Sequence, residues 1–288
     1  MRPRALVAGT AAFTFLLLVT AACHRPSDTV QSVASNAGAA ISEVRFHCAS
    51  MGGMMSYRIV IPPPQSGPVR VLYFLQGANS SAAEIMRNSD IERLAVSAHI
   101  VVVLPDADDS YYTNAKHKLH ARWEDAITTD LTRDVASRFH IAADRAHTGI
   151  AGISMGGYGA TKLALKHPDL YGFSASMSGA LDITRRRATM RRSGQTWRIW
   201  TIFGFLANGR VDEDVFELLN HASAPQQTVW FASCGRNDPL HAIDEKFVRE
   251  LRARGARVNL ITTPGGHDWQ SWEYAIPLMF EAANEQLR

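Results

Sequence analysis

Short continuous apolar runs alternate along this chain with longer stretches in which apolar residues return every three or four positions. The runs are YRIVIP, VRVLYFL, HIVVVLP, AHTGIAGI, GFSASMS, TVWFASC and RVNLITT. Between and after them, the longer period predicts helices over 82–98, 123–140, 155–167 and 240–254, and a closing helix that runs to residue 288. Unbroken β-branched runs separated by amphipathic helices predict a mostly parallel sheet covered on both faces. The first two runs are joined too closely for a helix, so an antiparallel edge is expected there. An irregular insert, at about 182–225, interrupts the alternation.

Composition narrows the class. The chain has 288 residues, 46% of them hydrophobic, enough for one large domain with a sizeable core. A net charge of +3 is too small to argue for nucleic acid as a partner. At the start, MRPR and the apolar run ALVAGTAAFTFLLLVTAA read as a secretory signal over residues 1–22, short of a secure membrane span once Thr10, Thr14 and Thr20 are counted. VTAAC resembles a bacterial lipoprotein box, with Thr20 where leucine is usual, which marks Cys23 for lipidation. The alternative is an ordinary export signal cut near Ala22. The expectation is an exported, periplasmic or cell-envelope protein held to the membrane through Cys23, a flexible linker over 23–40, and a single domain over 41–288. Export implies an oxidising compartment, yet Cys48 and Cys234 fall on distant strands and are expected to remain separate thiols. Neither the three cysteines nor His117 with His120 has the pattern of a metal site.

The candidate chemistry sits just after apolar runs. Gly152-Ile153-Ser154-Met155-Gly156 fits G-x-S-x-G between a predicted strand and a predicted helix, the context of a nucleophile elbow rather than of a plain tight turn. A serine hydroxyl at its ordinary pKa is a poor nucleophile, so a base and an orienting acid are required. His267, in TTPGGHDWQSW after RVNLITT, is the candidate base, ahead of His221 in the insert and His241 at a helix start. Its other reading is a loop histidine packed by Trp269 and Trp272, while Asp268 reads as a helix cap. Asp238, in SCGRNDPL after TVWFASC, is the candidate acid, with helix capping as its alternative; Asp244 lies too far along the helix, and Asp182, Asp212 and Asp214 belong to the insert. The backbone N–H groups of Ala78, in LQGANSS, and of Met155 are the candidate oxyanion donors, with Gln76 either bracing the first loop or simply ending the strand. This chemistry needs neither metal nor organic cofactor.

Taken together, LQGA, GISMGGYGA, CGRNDPL and GGHDWQSW resemble the esterase D type of α/β-hydrolase, a group that includes S-formylglutathione hydrolases, tributyrin and feruloyl esterases, and mycolyltransferases. PDADDSYYTN, WEDAITTDL and SMSGALDIT are similar to that group as well. The resemblance implies an α/β-hydrolase fold, a triad of Ser154, Asp238 and His267, and an oxyanion hole at Ala78 and Met155. Gln76 departs from the His, Asp or Ser more usual before the glycine, and the insert is not covered by the motifs. The implied activity is hydrolysis of a small-molecule or polysaccharide-linked carboxylic ester. Acyl transfer from the same acyl-enzyme, and a non-catalytic envelope binding protein, are the rivals. In the insert, Arg185, Arg186, Arg187, Arg191, Arg192 and Arg198 lie beside Trp197 and Trp200. They read either as a cap that meets an anionic substrate or lipid surface, or as a solvated amphipathic helix whose tryptophans cover the core.

Overall fold

The computed structural model describes residues 27–141, 143–185, 196–204 and 211–287. Cys23, the apolar N-terminal run and Arg186, Arg187, Arg191 and Arg192 lie outside the described residues.

Nine strands form one sheet: β1 (Thr29–Val33), β2 (Ala40–Cys48), β3 (Gly53–Ile61), β4 (Arg70–Leu75), β5 (Ile100–Pro105), β6 (Thr148–Ile153), β7 (Phe173–Met177), β8 (Val229–Gly235) and β9 (Val258–Thr263). They stand in the order β1-β2-β3-β5-β4-β6-β7-β8-β9. The first three are antiparallel and join β5 antiparallel, whereas β5 through β9 are parallel. The antiparallel edge is therefore present, but YRIVIP pairs with β5 and not with VRVLYFL, its neighbour in sequence. The short link between them crosses over β5 instead of forming a hairpin.

The helices are α1 (Ala82–Asn88), α2 (Ile91–Ala98), α3 (Trp123–Asp125) continuing through a π-helical stretch (Ala126–Leu131) into α4 (Thr132–Phe139), α5 (Met155–Lys166), α6 (Thr196–Phe203), α7 (Val215–His221), α8 (His241–Ala253) and α9 (Trp269–Gln286). The single helix expected over 82–98 is split at Ser89–Asp90, where the Ser89 hydroxyl turns back to donate to Ile85 O at 2.6 Å. Strand side chains alternate between two apolar layers. Leu72, Phe74, Val102 and Ile153 pack with α1, α2 and α9, while Val71, Tyr73, Leu75 and Val103 pack with the opposite helices, α5 among them. A fully buried parallel strand uses both of its faces this way.

The linker reading ends too late. Residues 29–33 form an edge strand on β2, and Glu92 on α2 accepts from Ser35 Oγ and from the N–H groups of Asn36 and Ala37 at 2.5, 2.7 and 2.7 Å. Four of the five β1 side chains are exposed, so its pairing rests on the backbone ladder and leaves no apolar period to read. Cys48 and Cys234 are both free and buried. Burial, and then the Asp130 carboxylate 3.2 Å away, push the Cys48 thiol up to about 12.

The described part of the insert is pinned to α5. Lys162, completely buried, donates to Tyr112 O, Thr113 Oγ1 and Glu213 Oε2 at 2.6, 2.8 and 2.7 Å. Lys166 reaches Glu124 at 2.8 Å and Glu213 at 3.1 Å, and His167 lies 3.0 Å from Glu124. Helix α6 buries Ile199, Ile202 and Phe203, while Trp197 is 68% exposed. Of the two tryptophans that one reading set over the core, Trp197 is thus on the surface and Trp200 is half-buried, while Ile199, Ile202 and Phe203 supply the buried face. Arg185 pairs with Asp214 and Glu217, so that arginine belongs to the fold of the insert.

Candidate active site

Strand β6 delivers Ser154 into a sharp turn with φ 55° and ψ −110°, and α5 begins at the next residue. Two glycines make the turn passable. A Cβ on Gly152 would stand 2.4 Å from the Gly156 carbonyl carbon, and one on Gly156 would stand 2.1 Å from Leu75 O. Both clashes are with backbone, which cannot swing aside, so this turn requires glycine for space. The serine is fixed by its own backbone: its N–H donates to Met177 O at 2.9 Å, and its carbonyl accepts from Tyr158 and Ala180 at 3.1 Å each.

The loops after β8 and β9 bring the other two candidates to it. His267 Nε2 is 2.9 Å from Ser154 Oγ, and His267 Nδ1 is 2.9 Å from Asp238 Oδ2. Both distances are within direct hydrogen-bond reach for proton transfer and orientation. The two readings of Asp238 turn out to be compatible, because its other oxygen accepts Leu240 N–H at 2.8 Å at the entry to α8. The same holds for His267, whose ring meets Trp272 edge to face at 5.3 Å while keeping both polar contacts. Asp268 caps α9 through Ser271 N–H.

Burial works against ionisation of Asp238, but hydrogen bonds from His267, Leu240 N–H and Ser178 outweigh it and hold the carboxyl below its ordinary value. Because the folded value is the lower one, the stability this group contributes is complete above about pH 4 and is lost as pH falls through the folded value. The stability difference between the parent and Asp238→Asn, followed by urea unfolding, is therefore expected to shrink as pH falls below about 4. A difference that stays constant or widens below that pH would contradict this assignment.

Ser178 is a residue that apolar patterning misses. It is completely buried with φ 52°, accepts Trp272 Nε1–H at 3.2 Å and hydrogen-bonds Asp238. Its one legible signal was its place just past the strand GFSASM. On the other side of Ser154, Gly77 lies so close that a Cβ there would be 3.6 Å from the Ser154 Cβ, which sets the Ala78 loop against the hydroxyl. Met155 N–H is the first of α5 and has no partner within the helix, so it is available at the positive end of the helix. Gln76 is buried, with Nε2 at 3.5 Å from Asp108 O, and its backbone carbonyl accepts from Tyr112 Oη at 2.9 Å. His117 and His120 are both exposed, and the His117 ring stacks on Trp200.

A doubly wound sheet with its reactive groups at strand ends, and a serine, histidine and buried carboxylate in hydrogen-bonded series, define the α/β-hydrolase class. The chain belongs to the family described as "Putative esterase", whose model matches residues 48–282, and is a hydrolase acting on esters. It is 25% identical over 221 residues to an acetyl esterase of Caldicellulosiruptor saccharolyticus, covering 74% of this chain and 82% of that one. Among solved structures it resembles the fluorophosphonate-binding serine hydrolase FphF of Staphylococcus aureus, with TM-score 0.76, 25% identity, and 85% and 98% of the two chains covered. The S-formylglutathione hydrolase FrmB of the same organism shares the fold at TM-score 0.73 and 23% identity, over 90% of this chain and 100% of that one.

Proposed function

We propose that this protein is a serine carboxylesterase working through an acyl-enzyme on Ser154. His267 Nε2 takes the Ser154 proton as Oγ attacks the ester carbonyl carbon. Asp238 keeps Nδ1–H oriented and stabilises the imidazolium as it forms. The N–H groups of Ala78 and Met155 receive the oxyanion, each donor contributing on the order of 3 kcal/mol in the transition state. When the tetrahedral intermediate collapses, His267 returns the proton to the departing alkoxide. The same imidazole then activates water, which releases the acid and restores the hydroxyl. The observation that carries the reading is the hydrogen-bonded series from Ser154 through His267 to Asp238.

The substrate is a carboxylic ester with a short acyl group or an aryl or sugar-linked one, and water is the acceptor. The name of the acetyl esterase relative supports the small-acid end of that range. Partition between water and alcohol tests the choice of acceptor. With p-nitrophenyl acetate and rising glycerol, acetate release is expected to match p-nitrophenol release until the alcohol is in large excess. Acetyl glycerol as the main product at low glycerol would make the protein an acyltransferase instead.

A further inference from the structure

The segment that leaves β5 holds the neighbourhood of both oxyanion donors. Asp106 Oδ1 accepts Ala82 N–H at 2.8 Å, Asp109 Oδ1 accepts Asn79 N–H at 2.6 Å, and Tyr112 Oη donates to Gln76 O at 2.9 Å. The stretch that carries Ala78 is thereby held on both sides of that residue. On the α5 side, Tyr111 N–H points to Met155 Sδ at 3.3 Å. Asn79, Asp108, Tyr111 and Tyr112 all have positive φ, at 57°, 44°, 51° and 52°. Non-glycine residues stay in that region only where their surroundings hold them there, and such strain gathers at functional sites.

The second oxygen of Asp109 pairs with Arg198, which is carried by insert helix α6. The Asp109 side chain is 15% exposed and the Arg198 side chain 59%. One carboxylate therefore joins the residue next to Ala78 to the part of the chain that the motifs leave unassigned. Asn79, Asp109 and Arg198 also line one cleft of about 600 Å³, so this junction faces space that a substrate can enter.

We propose that Asp109 is a positioning residue for the oxyanion loop, and that Arg198 acts through it, so that the insert helps set where Ala78 N–H points. This rests on the serine-esterase reading above. It assigns the insert a role in rate as well as in shape.

Graded substitutions of the full chain separate the two contacts of Asp109, with the acylation rate read from the p-nitrophenol burst. Asp109→Asn keeps an oxygen for Asn79 N–H but loses the ion pair, so it should match Arg198→Ala, each slowing acylation by about two- to five-fold, the range of an exposed pair. Combining the two should add nothing further. Asp109→Ala loses both contacts and should slow acylation by about ten-fold or more, short of the roughly hundred-fold or greater loss of a whole oxyanion donor. Added NaCl should bring the parent toward the Arg198→Ala rate and leave Arg198→Ala unchanged, because salt screens the pair. A purely structural role would lower thermal stability without this salt signature. Equal acylation by the parent and Arg198→Ala at low salt, or by the parent and Asp109→Ala, would overturn the proposal. Should Asp109→Ala fail to fold, Arg198→Ala and its salt profile decide. A parent that hydrolyses no ester and takes no fluorophosphonate label would instead overturn the esterase reading beneath it.

Discussion

Ser154→Ala should hydrolyse p-nitrophenyl acetate at least about four orders of magnitude more slowly than the parent, the scale of losing the nucleophile in a working serine hydrolase. The activity should vanish without loss of the fold. The substitution removes only Oγ, keeps Cβ, and leaves the backbone bonds from Ser154 to Met177, Tyr158 and Ala180 in place. The partner it strands is His267 Nε2, on a side chain that is 32% exposed and open to water. A urea unfolding midpoint close to the parent's, beside an activity at background, is the expected pair of results. Comparable loss of both would mean that Ser154 serves the turn and not the chemistry.

Lys162→Met should be the most destabilising of the substitutions considered. The ammonium is completely buried between Glu213 and Glu124, at 2.7 and 3.5 Å, and methionine fills its volume without its charge. Removing one partner from a buried charged set costs about 3–5 kcal/mol, here because the two buried carboxylates Glu213 and Glu124 are left to share Lys166. For a chain of this size that is a fall in Tm on the order of 10 °C. Acid should narrow the deficit. Burial alone would raise the Glu124 carboxyl, but His167, Lys162 and Lys166 together hold it well below the usual carboxylate range. In the parent its contribution is complete above about pH 4.3 and falls away below that, as pH drops through the folded value. The parent thus loses stability on acidification that the variant has already lost. A Tm within about two degrees of the parent's at pH 7 would refute the assignment of this cluster as the clasp between α5 and the insert.

How much of this was legible in the sequence follows from what each residue does. Ser154, Asp238 and His267 stand in loops that end apolar strand runs, and the sheet brings strand ends together, so their meeting follows from order and period. Strand β1 left no such trace, because its side chains face solvent and its bonds are backbone bonds. The pairing of YRIVIP with β5 instead of VRVLYFL was not legible, because pairing order depends on which strand the chain crosses, something a short link does not encode. Asp109 accepts a backbone N–H with its carboxylate, and Tyr111 and Ser178 stand at positive φ, features that neither periodicity nor motif spacing reports. In the insert, one of two readings had the tryptophans of α6 over the core, but spacing alone does not say which side chains face inward: Trp197 is exposed, Trp200 half-buried, and Ile199, Ile202 and Phe203 buried.

The central claim is that Ser154 carries the acyl group. Purified protein turning over p-nitrophenyl acetate, quenched in acid within the burst and mapped by peptide mass spectrometry, puts that to the test directly. The tryptic peptide AHTGIAGISMGGYGATK should carry one acetyl group, on Ser154, and the adduct should be absent from Ser154→Ala. An acetyl group fixed on a different residue, or an enzyme that turns over in the burst with Ser154 unmodified, would contradict the account.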